Sequence, residues 1–310
     1  MNEKAETREM FYAEPIYRPP SEAYSLLIQA TVGCSSAAAG RCYFCSSYLF
    51  ERQIPEKRFR IRPTSEILQD IEIAKEHYGT IVEKIFLLDS NALIMKTKEL
   101  LKVLNRCYEV FPNLKQVSCY ACADDILRKR DADLRELRQA GLNLVFLGLE
   151  SGEQEVLDLI NKGIRVEDQI RAVVKAGTAD IMTSVTVILG LGGRKLSERH
   201  AVNTGKAVNL MNPDFFAALT LMIVPGTPLD EMVKRGEFEP VKDPVEILKE
   251  LELMIMNIES AGPVVFRTNH ASNYLPLRGT LPNDKKSLLD RIRNAIKNPD
   301  QLRSESLRGL

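Results

Sequence analysis

The sequence predicts an α/β protein, a partial barrel of six strand–helix units, (β/α)6, with a C-terminal helical and strand extension. Three observations predict it. Six short apolar runs alternate with amphipathic helical stretches. The runs are apolar throughout, which is typical of parallel strands covered by helices. Six consecutive units favour a complete or partial barrel over a small doubly wound sheet, although an open sheet fits the same pattern.

Each predicted strand ends at a turn that contains polar residues or glycine. The first strand, 25–33, leads directly into a group of cysteines. The strands that follow are predicted at 84–89, 116–121, 144–150, 184–190 and 216–224. The helix before the second strand shows ordinary boundary signals, with Pro63 near its start and Gly79 at its end.

The chain is predicted to form one domain with additions at both ends. Residues 17–240 are expected to make the barrel, after an N-terminal tail at 1–16. Residues 241–310 are expected to form the extension, which packs on the barrel. We base this on the lack of a linker rich in Gly, Ser and Pro anywhere between these parts.

Composition argues against several classes of protein. Forty-two basic residues balance forty-two acidic ones, so the chain as a whole shows no electrostatic preference for nucleic acid or an anionic membrane. No apolar run approaches the roughly 20 residues that span a bilayer, and the charged N-terminus lacks an apolar signal core. The sequence therefore predicts a cytoplasmic protein with a small-molecule substrate and no nucleic-acid or membrane partner.

Three of the six cysteines, Cys34, Cys42 and Cys45, follow the first strand within twelve residues. Thiolates are soft ligands that select zinc, copper(I) or iron–sulfur clusters. Three thiolates without a neighbouring histidine are one ligand short of a closed zinc site, but they suit a 4Fe-4S cube whose fourth iron stays open to a small molecule. Because they follow a strand, we expect them at the carboxyl edge of the sheet, where such folds place their sites.

The segment CSSAAAGRCYFC resembles the cluster loop of the radical S-adenosylmethionine (SAM) superfamily, with an aromatic residue before the last cysteine. Its C-x7-C-x2-C spacing is longer than the common C-x3-C-x2-C. Later strand ends resemble the superfamily's other motifs in the expected order, as LLDSNAL at 87–93, GLESG at 148–152, NKG at 161–163, VILGLGG at 187–193 and LMIVPGTPL at 221–229. The likeness covers about residues 17–295. It points to compact coproporphyrinogen oxidase-like and cobalamin-type relatives, although no cobalamin domain is expected.

The resemblance implies a barrel of the radical SAM type, with a 4Fe-4S cluster held by the three cysteines and SAM on the open iron. It further implies a reducing partner such as flavodoxin or ferredoxin. The expected chemistry is reductive cleavage of SAM to a 5'-deoxyadenosyl radical, which takes hydrogen from a small molecule or a cofactor precursor. By the same likeness, SAM is expected to contact Phe44, Asp89, Ser90, Asn91, Glu150, Lys162, Gly190 and Val224.

The loop RTNHASNYLPL, 267–277, is predicted to fold over the mouth of the barrel. Its His270 and Tyr274 are candidate catalytic residues, because an imidazole and a phenol can exchange protons with a substrate. A structural histidine is the alternative at position 270. The other two histidines, His77 and His200, lie in predicted helices and are expected to face solvent.

Two further readings of the sequence stay open. One is a structural zinc protein with a four-thiolate site at Cys42, Cys45, Cys119 and Cys122. The other is a relative that binds the cluster or SAM without catalysis, because the long first spacing has disabled the chemistry. The pair Cys119 and Cys122, at a predicted strand end, suits either an accessory redox role or simple packing.

Overall fold

An eight-stranded sheet organises the chain in the computed structural model, which describes residues 9–309. The strands are β1 (Leu26–Gln29), β2 (Thr31–Val32), β3 (Arg60–Ile61), β4 (Lys84–Leu88), β5 (Gln116–Tyr120), β6 (Leu142–Glu150), β7 (Met182–Leu189), β8 (Phe215–Thr220), β9 (Val264–Arg267) and β10 (Arg278–Leu281). The main sheet has the order β1-β4-β5-β6-β7-β8-β9-β10, parallel except for β10. This confirms the predicted, mostly parallel α/β fold. β2 and β3 form a separate antiparallel pair.

Helices connect the parallel strands. They are α1 (Ser35–Ala38), α2 (Ser46–Gln53), α3 (Thr64–Tyr78), α4 (Thr97–Val110), α5 (Ala123–Arg128), α6 (Asp131–Gln139), α7 (Gln154–Leu159), α8 (Val166–Thr178), α9 (Gly193–Met211), α10 (Pro228–Lys234), α11 (Pro244–Met256) and α12 (Lys285–Lys297). Short 3-10 turns occupy Pro20–Glu22, Pro55–Lys57, Ala92–Ile94, Pro299–Gln301 and Glu305–Leu307. In α4 the buried residues Leu100, Val103, Leu104 and Cys107 recur at helical spacing, so one face of the helix packs on the sheet.

The two faces of the sheet are covered differently. Side chains alternate along a strand, so Ile85 and Leu87 of β4 join the large core under the helices, while Phe86 points to the inner face. On that inner face, Tyr12 and Ile16 from the N-terminal segment pack against a second apolar cluster. Part of the expected tail at 1–16 therefore packs on the sheet through these two residues, and residues 1–8 lie outside the described part of the chain.

The C-terminal extension continues the main sheet. The predicted strand-like run at 264–268 pairs with β8 as β9, and β10 adds an antiparallel edge. The expected boundary at residue 240 therefore falls between two paired strands, and α11 just after it packs on α9. The division into a barrel at 17–240 and an extension at 241–310 stays a prediction.

The histidines differ in environment. His77 lies exposed in the last turn of α3, as expected. His200, in contrast, is fully buried, which corrects the expectation that it faces solvent. The reason is that α9 packs between α8 and α11, so the side of α9 that carries His200 is covered by other elements. None of the described helices is long and apolar enough to cross a membrane.

Candidate functional site

The loop that carries the three cysteines leaves the sheet beyond β1 and β2. Cys34 and Cys45 stand at the positions just before α1 and α2, without a capping hydrogen bond from either side chain. The helical turn of α1 takes up the additional residues of the long first spacing. Gly33 has a positive φ of 66°, and a Cβ atom there would lie 2.2 Å from the carbonyl oxygen of Lys57. Glycine is therefore required where the chain turns into the loop.

Backbone hydrogen bonds hold the middle of this loop on two sides. Cys42, which has a positive φ of 59°, donates its N–H to the carbonyl oxygen of Asn161 at 3.0 Å. The Asn161 side chain returns a bond to the carbonyl oxygen of Gly40, also at 3.0 Å. The N–H of Leu229, at the start of α10, donates to the carbonyl oxygen of Tyr43 at 3.1 Å. The chain just after α7 and the start of α10 thus hold Cys42 and its neighbour Tyr43 in place.

The three thiols share one environment. All three cysteines are partly buried and carry no disulfide. Burial raises the pKa of Cys42 to about 12, while the ammonium group of Lys162 acts in the opposite direction and the thiols of Cys45 and Cys34 add to the rise. Burial, followed by the thiol of Cys34, likewise raises the pKa of Cys45. Each thiol therefore lies within electrostatic range of its neighbours.

This donor set fits a 4Fe-4S cluster better than a single ion. Among the described residues, no three His, Cys, Asp or Glu side chains are grouped so that they hold one metal ion. Cys119, one of the four expected zinc ligands, is fully buried in the core under the helices. Binding to iron would release the thiol protons.

An ion pair lies beside the thiols at the carboxyl end of β6. Lys162 Nζ is 2.9 Å from Glu150 Oε1, and the two side chains are 16% and 11% exposed. Burial alone lowers the pKa of Lys162, but the carboxylate of Glu150 and the thiol of Cys42 outweigh burial and raise it. The ammonium group therefore stays charged. The structure thus brings two of the predicted SAM contacts together with the cysteines.

Asp89 stabilises the start of the loop that carries the three cysteines. It is 3% exposed and forms a buried ion pair with Lys57. Its Oδ2 atom also accepts the N–H of Gly33 at 3.2 Å and the side-chain amide of Gln29 at 3.4 Å. Burial raises the pKa of Asp89, and the bond from Lys57 opposes the rise. The contacts of Asp89 therefore support the loop, and a contact with SAM stays a prediction.

Asn91 and Cys122 connect the loop to β5. Asn91 is fully buried and donates to Ser35 Oγ at 2.8 Å and to Asp125 Oδ2 at 3.2 Å. Cys122 Sγ lies 3.7 Å from Ser36 Oγ. From its strand-end position the sequence predicts either an accessory redox role or simple packing for Cys122, and the structure places it beside the loop that carries the three cysteines. Ser90, between Asp89 and Asn91, is partly exposed at the same edge of the sheet.

The remaining predicted SAM contacts lie on neighbouring elements. Gly190 has a φ of 79° and donates its N–H to Glu250 Oε1 at 2.6 Å, so it packs against α11. The carbonyl oxygen of Val224 accepts the hydroxyl of Thr227 at 2.7 Å and closes a turn. Phe44 is partly buried against the main core. Contacts of these three residues with SAM stay predictions.

The predicted catalytic pair belongs to a network at the end of β8. His270 Nδ1 lies 2.9 Å from Ser272 Oγ, and burial lowers the pKa of His270. Tyr274 is 4% exposed, and its hydroxyl donates to Glu305 Oε2 at 2.7 Å. Arg308 binds the same hydroxyl and stacks over the ring. The described contacts hold Tyr274 to the C-terminal segment, and catalytic roles for both residues stay predictions.

The site thus combines a parallel α/β sheet with three free thiols and a buried lysine–glutamate pair at its carboxyl edge. The chain belongs to the radical SAM superfamily, whose family model matches residues 28–204. Its members use a 4Fe-4S cluster and SAM, and these are the cofactors of this enzyme.

Solved structures share the fold. Coproporphyrinogen III oxidase from Escherichia coli has a TM-score of 0.55 at 18% identity, and the match covers 75% of this chain and 52% of that one. The methyltransferase from Kitasatospora setae, solved with cobalamin and a [4Fe-4S] cluster, has a TM-score of 0.53 at 17% identity, covering 68% and 39%. These neighbours confirm the barrel-like fold of the radical SAM type.

A sequence relative matches over a shorter stretch. The tRNA uridine(34) acetyltransferase of Methanocaldococcus infernus is 26% identical over 166 residues, which cover 52% of this chain and 30% of that protein. The chain thus spans less than two fifths of the length of the first curated relatives it matches.

Proposed function

We propose that Cys34, Cys42 and Cys45 hold the 4Fe-4S cluster and that SAM binds at the iron they leave open. When bound, the cluster and SAM supply a 5'-deoxyadenosyl radical by one-electron reduction, and this radical takes hydrogen from a small molecule or a cofactor precursor. The observation that carries the proposal is the gathering of three free thiols on one loop, with the ammonium group of Lys162 beside Cys42.

In this proposal the residues of the chain bind SAM, orient it and surround its adenine. Lys162 offers a fixed positive charge for the carboxylate of SAM, and Glu150 holds that charge in place through the 2.9 Å bond. Ser90 and Asn91, at the end of β4, border the side of the loop where the amino group of SAM is expected. Gly190 and Val224, which follow β7 and β8, are proposed neighbours of the adenine, and Phe44 offers it an apolar face.

We further propose partners and a compartment. The electron comes from a small reducing protein such as a flavodoxin or a ferredoxin, and the enzyme works in the cytoplasm. The balanced charge of the chain supports a small substrate over nucleic acid, although one relative is named for its action on tRNA. His270 and Tyr274 are proposed to exchange protons with the substrate.

Anaerobic reconstitution with iron and sulfide tests the cluster ligands. We expect the single variants C34A, C42A and C45A to lose the visible absorption and the iron of the cluster. C119A is the matched control, because Cys119 lies in the core under the helices, and it should keep both. In the unaltered protein, dithionite and SAM should yield 5'-deoxyadenosine, and none should form in the three ligand variants. Zinc in place of iron, or a cluster retained in all three variants, contradicts the proposal.

A further inference from the structure

The inner face of the sheet is covered on one half and open on the other. On β1, β4 and β6 its side chains are less than 10% exposed, as for Leu27, Phe86, Leu88, Leu144 and Phe146. On β8 and β9 the pattern changes. Ala217, Leu219 and Val265 are each partly exposed, while their outward neighbours Phe216 and Phe266 are fully buried. The second half of the inner face is therefore more open to solvent than the first half.

Two arginines lie opposite each other on this open half. Arg267 ends β9 and Arg278 begins β10, and the antiparallel register pairs them directly. Arg267 stands two residues from Val265, so both arginines share the inner face. Directly opposed like charges destabilise a strand pair. Neither arginine forms a salt bridge with an acidic side chain among the described residues, so nothing in this part of the chain balances the two charges.

The surroundings leave room for a ligand at these charges. Arg267 Nη1 donates to the carbonyl oxygens of Phe266 at 2.7 Å and Gly279 at 3.2 Å, which fixes one corner of the guanidinium group. Its other N–H groups have no protein acceptor in the described chain. On the other side Arg267 is paired with Ala217, whose small side chain leaves space above it. A held guanidinium group binds carboxylate or phosphate with less loss of entropy.

Protection of the sheet edge does not explain both residues. A charge that points inward on an edge strand discourages pairing with another chain. That reason applies to Arg278, because β10 is the last strand of the sheet. It does not apply to Arg267, because β9 is paired on both sides.

We propose that Arg267 and Arg278 together bind an anionic group of the substrate, a carboxylate or a phosphate, on the open inner face. The substrate class is then a small molecule that carries at least one such group. Identifying this anion as part of the substrate rests on the proposed function, since that function makes the open half of the inner face the substrate chamber. The binding of the anion itself is tested separately from radical chemistry.

The test is titration of the reconstituted protein with inorganic phosphate and, separately, with succinate, in buffer that contains no other polyvalent anion. We expect calorimetry to show one site per chain for at least one of these anions. R267Q and R278Q should each weaken binding at least about tenfold, and R267K less, because lysine keeps the charge but loses the planar fork. R135Q is the matched control, since Arg135 is an exposed arginine on α6 outside the sheet.

The outcomes separate the source of the anion from failure of the idea. Binding of phosphate alone indicates a phosphorylated substrate, and binding of succinate alone indicates a carboxylate. Binding of both indicates a site that recognises negative charge without distinguishing the two groups. If neither anion binds, or if R267Q and R278Q bind as the unaltered protein and R135Q do, the proposal is wrong. Iron content is measured on the same samples, so loss of anion binding with an intact cluster leaves the proposed cluster ligands standing.

Discussion

Gly148 shows how one residue makes room for the ion pair of the site. A Cβ atom built there would lie 2.0 Å from Glu150 Oε1 and 3.3 Å from Lys162 Nζ. These atoms end flexible side chains, so an added methyl group would push the carboxylate aside without moving the backbone. The side chain of residue 148 thus decides whether Glu150 can hold Lys162 at the thiols.

We therefore expect G148A to weaken the ion pair and to lower the free energy of unfolding by about 1–3 kcal/mol, the usual cost of overpacking. The affinity for SAM should fall as well, because Lys162 loses its fixed position. Urea denaturation and calorimetric titration with SAM measure the two effects.

Gly177 in α8 provides the matched control, since a Cβ atom there meets nothing within 4 Å. G177A should leave SAM affinity unchanged and stability equal or higher by up to about 1 kcal/mol, because alanine favours helix. Equal effects of the two substitutions would show that Gly148 has no special role.

For single residues, the sequence points to side chains that can bind a metal more readily than to the contacts that position them. Their grouping after a strand, together with the later strand-end motifs, is what predicts Cys34, Cys42 and Cys45 as cluster ligands. The ion pair of Asp89 with Lys57 has no such signal, because the two residues are 32 positions apart and meet only through the fold. The contact of Cys122 with Ser36, 86 positions earlier, also depends on the fold, although the place of Cys122 after a predicted strand points to the same edge of the sheet.

At the level of helices and strands, side chains of α9 and α11 bridge the residues that follow β6 and β7. Glu250 of α11 accepts the N–H of Gly190 at 2.6 Å and also bonds the hydroxyl of Ser197. His200 of α9 lies 2.7 Å from Ser151 Oγ and 3.5 Å from Glu250 Oε1. The two strand ends with predicted SAM contacts are thus joined through a buried network.

This network predicts an acid-sensitive stability. Burial lowers the pKa of His200, while the carboxylates of Glu250 and Glu153 oppose that effect. Below the ordinary histidine pKa of about 6.5, the unfolded chain takes up a proton that the folded chain does not. Stability from the neutral imidazole is therefore present above that pH and is lost as the pH falls toward the folded-state pKa.

Urea unfolding at pH 7.5 and pH 5.5 measures the effect. Between these values we expect the unaltered protein to lose about 1 kcal/mol more than H200Q does. H77Q, a substitution on the exposed end of α3, should lose as much as the unaltered protein. An H200Q variant with the same acid sensitivity as H77Q would refute the assignment.

Periodicity along the chain predicts elements well and their neighbours less well. The apolar spacing in α4 and the apolar runs of β4 and β5 are local, so they were recognisable in the sequence. The pairing of β9 with β8 is not local, because 43 residues and two helices, α10 and α11, separate Thr220 from Val264. The strand was therefore foreseen, while its place in the main sheet was not.

The whole molecule depends on the continuity of that sheet. Phe216 of β8 and Phe266 of β9 are fully buried, directly paired and 5.6 Å apart between ring centroids. α11 covers the outer face next to them and holds Gly190 through Glu250. Residues beyond 240 therefore complete the core of the preceding ones, and the open inner face with Arg267 belongs to this last part.

A truncation after residue 240 tests this dependence. We expect the fragment 1–240 to lack a cooperative thermal transition and to aggregate, because removal of α11 and β9 uncovers Phe216 and leaves the edge of β8 unpaired. The fragment 1–298 is the control. It loses the contacts of Arg308 with Leu221 and Tyr274, yet it keeps every strand of the sheet, so it should unfold cooperatively at a lower temperature. Circular dichroism and size-exclusion chromatography distinguish the two. A fragment 1–240 that melts cooperatively and takes up four irons would instead show that the barrel at 17–240 folds on its own, and that the extension serves only the substrate.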